Sequence, residues 1–118
     1  MKASQVLQAG LNIIIDPTKH TKVFYARDEN GSQCNPLDPK ATCWCSAGVL
    51  DKVVTDNGLK IPVHGAKAAR YLVSAANFLT LNQGSKQLSF VEFNDYKMHP
   101  EVINMWKIAI NTAIQRGD

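Results

Sequence analysis

The chain has 118 residues, of which 45% are hydrophobic and 19% charged, with a formal net charge of +3. That composition belongs to one folded domain over residues 1–118 with a core of its own, and it excludes a disordered or low-complexity chain. The longest strongly apolar run, Ile13-Ile14-Ile15, is too short for a membrane span, and no two basic residues are adjacent, so direct nucleic-acid binding is not expected.

Ser4 is placed to cap a first helix whose inner face is Val6, Leu7, Leu11 and Ile14. Gly10 weakens that helix slightly and permits close packing. Asp16-Pro17 ends it, because a residue before proline is pushed out of the helical region. Thr21–Ala26, rich in β-branched and aromatic residues, predicts a strand or extended arm. Asp28-Glu29-Asn30-Gly31 is a turn, with Asn-Gly the strongest hairpin signal in the chain. Its return strand, Ser32–Cys34, breaks at Pro36. Asp38-Pro39 predicts a helix start, and the helix runs to about Thr55 through the densest small and apolar stretch, Ala41–Leu50. Cys43, Ala47, Leu50 and Val54 then form one stripe, and Gly48 lies on the packed side.

Asp56-Asn57-Gly58 closes this central helix, and Lys60–Gly65 is a loop. A third helix is expected over about 66–81, with Ala69, Leu72, Val73, Ala76 and Leu79 buried and Tyr71 and Phe78 widening that face. Asn82–Ser85 stops it. Leu88–Phe93 predicts a second extended segment, with the Val23–Tyr25 arm as its partner, since a lone strand leaves its ladder groups unpaired. Asn94-Asp95 then turns the chain, as an Asx turn or as a binding carboxylate at a strand end. Pro100 and Glu101 open a fourth helix with Val102, Trp106, Ala109, Ile110 and Ala113 inside. The sum is an α+β fold, mostly helical: four helices with a small two- or three-stranded sheet.

The three cysteines, Cys34, Cys43 and Cys45, are expected to be reduced thiols, since their number is odd and Met1–Ser4 leads into an amphipathic pattern rather than a secretory signal. Two cysteines two positions apart on a helix point about 200° apart and cannot share one ion, so no metal and no cofactor is expected. Cys45 or Cys34 with His20, His64 or His99 is the arrangement a thiol-dependent enzyme would use, with Asp95 to orient the histidine. Mid-helix, Cys45 would gain little from the helix dipole. Trp44 and Trp106 are read as packing residues.

Several of these segments resemble a known group. Trp44-Cys45-Ser46-Ala47-Gly48-Val49-Leu50 matches a Trp-Cys-x-x-Gly-Ala-Leu motif, with Val49 where alanine is usual, and Phe93-Asn94-Asp95 matches a Trp/Phe-Asn-Asp motif that precedes a C-terminal helix. The amphipathic first helix, the Asp28–Gly31 turn and Glu101-Val102 fit as well. The group is a family of small uncharacterised proteins, a domain of unknown function common in bacteriophages and actinobacteria. The resemblance implies a compact, mostly helical phage or bacterial protein and carries over no catalytic residue.

The expected function is that of a non-enzymatic, phage-type accessory protein. Its partner would be a host or defence protein, or a protein–nucleic acid complex, as for a host-takeover or anti-CRISPR-like factor. It would work in the cytoplasm, the host's if phage-encoded, and self-association is open. The binding residues are expected among Lys67, Arg70 and Tyr71, the arm residues Phe24, Tyr25 and Arg27, and Asn94 and Asp95. The rivals are a thiol-dependent enzyme and a small-ligand or nucleotide binder.

Overall fold

Apolar periodicity sets two helices that pack along each other. In α1 (Ala3–Ile14), Val6, Leu7, Leu11 and Ile14 are buried as expected, although the helix starts one residue before Ser4 and Lys2 takes the cap position. The Lys2 amide donates to Gln5 Oε1. In α5 (His99–Gln115), Val102, Trp106, Ala109, Ile110 and Ala113 are buried, joined by Ile103 and Met105. Glu101 Oε2 accepts from the Met98 amide and closes the helix start. α1 packs along α5 at Gly10, where a Cβ would lie 2.7 Å from the Trp106 ring. Trp106 is fully buried at the centre of the core.

The computed structural model describes residues 1–82, 84 and 86–118. The remaining elements among them are β1 (Ala26–Arg27), β2 (Gln33–Cys34), β3 (Cys43–Trp44), α2 (Ser46–Asp56), α3 (Ala66–Asn82) and α4 (Phe90–Tyr96). A 3₁₀ turn spans Pro17–Lys19 and a π-helical turn spans Ile61–Gly65. The fold is α+β and mostly helical, with five α-helices among the described residues in place of the four expected. No helix among the described residues is long and apolar enough to cross a membrane.

The sheet is antiparallel in the order β2-β1-β3, with Ala26 opposite both Cys34 and Trp44. The hairpin therefore forms around Asp28–Gly31, whose Asp28 carboxylate accepts from the Asn30 and Ser32 amides. Three expectations fail here. Most of the Thr21–Ala26 segment bends instead of pairing. The third strand comes from Cys43-Trp44, which the helical reading placed inside the central helix. Asp38 accepts from the Lys40 amide in a local turn and starts no helix. Physically, a free edge on β1 outweighs the weak helical preference of Thr42, Cys43 and Trp44.

Leu88–Phe93 is not a strand. Ser89 and Glu92 form a capping box, Ser89 Oγ accepting from the Glu92 amide and Glu92 Oε1 from the Ser89 amide, and α4 follows. In α3 the buried face is Ala68, Tyr71, Leu72, Ala75, Ala76 and Thr80. Val73 and Phe78, expected inside, are exposed. The segment 61–65, expected as loop, forms the π-helical turn and runs directly into α3. α3 ends at Asn82, and the expected stop at 82–85 falls partly on Gln83 and Ser85, outside the described residues.

Candidate functional site

The start of α2 organises the centre of the molecule. Cys45 is the cap residue, in extended conformation, and its Sγ accepts from the Gly48 amide at 3.4 Å. Ser46, the first helical residue, is fully buried. Its amide has no partner within the helix and needs one from outside. Asn94 Oδ1 supplies it, accepting from the Ser46 amide at 3.0 Å, from Ser46 Oγ at 2.8 Å and from His20 Nε2 at 2.7 Å. Since Oδ1 only accepts, His20 carries its proton on Nε2. Ser46 Oγ in turn accepts from Trp106 Nε1 at 3.0 Å, and Asn94 Nδ2 donates to the Thr21 carbonyl. Asn94 itself is fully buried. It sits in α4, so the Asx-turn expectation is replaced by a knot that joins α2, α4, α5 and the segment after α1.

The neighbouring carboxylate works outward. Asp95 Oδ1 accepts from the Val23 amide at 2.9 Å. Val23 has φ +75°, the left-handed region that a β-branched side chain rarely enters. With the Phe24 amide donating to the Lys22 carbonyl at 2.9 Å, Lys22–Phe24 is a three-residue γ-turn of the strained hand. Contacts from Lys22 and Arg27 hold it further. Lys22 Nζ donates to the Lys97 carbonyl. Arg27 donates to Thr21 Oγ1, Gly31 O and Lys22 O. The Arg27 guanidinium also lies 4.5 Å from the centre of the Phe24 ring. Arg27 and Phe24 therefore brace the arm from within.

What this frame presents to solvent is apolar. Val23 is 71% exposed, Tyr25 56%, and Tyr96 and Met98, which flank the Lys97 carbonyl, 72% each. The Lys22–Lys97 and Val23–Asp95 bonds set the backbone of the arm against the α4–α5 turn, so these exposed side chains belong to two segments tied together. Of these four, Tyr25 is among the residues expected to bind from the sequence, and Val23, Tyr96 and Met98 are not. The alternation of Tyr96 and Met98 about a charged residue before Pro100 was their only signal.

Lys67, Arg70 and Tyr71 lie elsewhere, at the start of α3, where they line a cleft with Ser74, Arg116 and Asp118. Lys67 Nζ is 3.0 Å from Asp118 Oδ1, and the Tyr71 hydroxyl donates to Asp118 Oδ2. That hydrogen bond raises the Tyr71 pKa and, with the Lys67 contact second, lowers that of Asp118.

Cys45 is at the N-terminus of α2, not mid-helix, which corrects the sequence placement. Burial nevertheless raises its pKa, outweighing the lowering by the Gly48 and Ala47 amides. Cys43 is half-buried in β3, so the helical spacing of the pair does not apply. Among the described residues no group of three or more His, Cys, Asp or Glu side chains is placed to hold a metal ion. Set against known protein families, curated proteins and solved structures, the chain has no match.

Proposed function

We propose that this protein acts by binding another protein, or a protein–nucleic acid machine through its protein surface, at the seam of Val23, Tyr25, Tyr96 and Met98. The observation that carries this is Val23. A strained γ-turn, braced by Asp95, Lys22 and Arg27, holds an apolar side chain 71% exposed. Backbone strain of about 1–3 kcal/mol persists where the surroundings over-determine it, and such residues collect at ligand clamps and active sites. Exposed aromatic and methionine side chains are the usual anchors of a protein interface. The resemblance of Trp44–Leu50 and Phe93–Asp95 to the phage-associated group supports the more specific reading, a phage-type accessory factor directed at a host or defence component.

The test is capture of a partner from bacterial lysate by the tagged protein, followed by alanine substitution at Tyr25, Tyr96 and Met98 and a salt titration. Capture of a protein that is lost in these variants, and that changes little between low and physiological salt, is the expected result. Capture of bare DNA or RNA alone, with affinity collapsing as salt rises, would contradict it, because counterion release dominates phosphate binding. A Cys45→Ser variant that folds and binds but loses its biological effect would favour the thiol-dependent rival.

A further inference from the structure

At the other end of α5, about 25 Å away for a helix of 17 residues, the molecule carries a second, polar cleft of about 240 Å³. Lys67, Arg70, Tyr71 and Ser74 fall on one stripe of α3 at i, i+3, i+4 and i+7. Arg116 faces them from the end of α5, its guanidinium 5.9 Å from the centre of the Tyr71 ring. The Asp118 side chain enters from the left-handed turn at Gly117, with its backbone amide on the Ala113 carbonyl and its carbonyl on the Ser4 amide.

Lys67, Arg70 and Arg116 line this cleft beside the Asp118 side-chain carboxylate. Asp118 meets Lys67 through one oxygen and the Tyr71 hydroxyl through the other. Arg70 has no hydrogen bond or ion pair among the described residues, and Arg116 lies against the Tyr71 ring and acts on Asp118 through its charge, without a hydrogen bond to it. A carboxylate has two oxygens, and both are taken. A group with three terminal oxygens and up to two charges can meet Lys67, Tyr71 and both guanidiniums, which favour bidentate phosphate geometry.

We propose that this cleft binds a phosphoryl group, with the Asp118 carboxylate as the resident anion that the ligand displaces. The site does not depend on the apolar seam at the far end of α5. The phosphoryl group is carried by a soluble phosphomonoester or by an anionic lipid headgroup, and the recognising chemistry is the same for both.

The experiment titrates the full chain with inorganic phosphate and with a nucleoside monophosphate at constant ionic strength, reading amide NMR shifts. A parallel arm measures co-sedimentation with phosphatidylglycerol vesicles against phosphatidylcholine vesicles. Saturable shifts confined to residues 67–74 and 116–118 with the soluble phosphates assign a phosphomonoester. Sedimentation with the anionic vesicles alone, lost in an Arg70→Gln, Arg116→Gln double variant, assigns the headgroup. In either case Asp118→Asn, which removes the competing charge, is expected to tighten binding about tenfold. The double variant is expected to weaken it at least about tenfold. The proposal is overturned if neither probe binds, if sulfate and chloride give the same shifts, or if Asp118→Asn weakens binding in a protein whose melting is unchanged. It is equally overturned if the folded double variant binds as wild type does.

Discussion

Single residues carry the contrasts on which the functional account rests. Val23 is the clearest. Glycine enters positive φ without strain, whereas valine does not. Val23→Gly removes about 1–3 kcal/mol of strain and adds roughly 1 kcal/mol of unfolded-state entropy. Its melting temperature is therefore expected to equal or exceed that of the wild type, while partner binding falls. A loss of several degrees would show that the γ-turn is unstrained. His20 sets a pH limit. Its pKa is lowered from 6.5, first by burial, with the Asn94 hydrogen bond opposing and His99 and Lys22 adding repulsion. Below pH 6.5 the unfolded chain takes up the proton more readily than the folded one, so stability falls as pH drops through that value and is retained above it. Denaturant midpoints at pH 7.5 and 5.5 should show the loss, and His20→Gln should reduce it. Cys45 is 4% exposed and its thiol pKa is raised. Native labelling of Cys45 should lag far behind labelling in denaturant, and fast native labelling would revive the enzymatic rival.

At the scale of elements, the helix boundaries show what local pattern can and cannot carry. α1 and α5 are legible because their apolar stripes repeat with helical period and end at Asp16-Pro17 or begin near Pro100. The start of α2 is not, because Cys43-Trp44 is claimed by β1, and that pairing closes over 16 residues from Arg27 to Cys43. α4 is legible in the Ser89…Glu92 box, a signal that outweighs the β-like look of Leu88–Phe93. Gly48 joins the two levels. Its small size is visible in the sequence, but the reason is tertiary: a Cβ there would lie 2.0 Å from the Tyr25 carbonyl oxygen. That carbonyl also accepts from the Cys45 amide, so it cannot easily move away. Gly48→Ala should therefore destabilise the fold by about 1–3 kcal/mol through overpacking, despite alanine's better helical preference. A variant as stable as wild type would mean that the arm does not sit on the first turn of α2.

Over the whole molecule, one buried knot links Ser46 and Asn94 to a surface. Ser46, Asn94, His20 and Trp106 are joined across sequence separations of 48 to 74 residues, which no local reading of Asn94-Asp95 could supply. Asn94 faces inward, and Asp95 carries the frame out to Val23. Of the residues expected to bind, Tyr25 stands on the exposed seam, Phe24 and Arg27 brace it, Asn94 and Asp95 support it, and Lys67, Arg70 and Tyr71 form a separate polar cleft. The two surfaces lie at opposite ends of α5 and make separable claims. Hydrogen–deuterium exchange of the protein with and without its captured partner tests the central one directly. Protection on binding should be confined to residues 22–27 and 95–99. Protection confined to 67–74 and 112–118, with the arm unchanged, would contradict it.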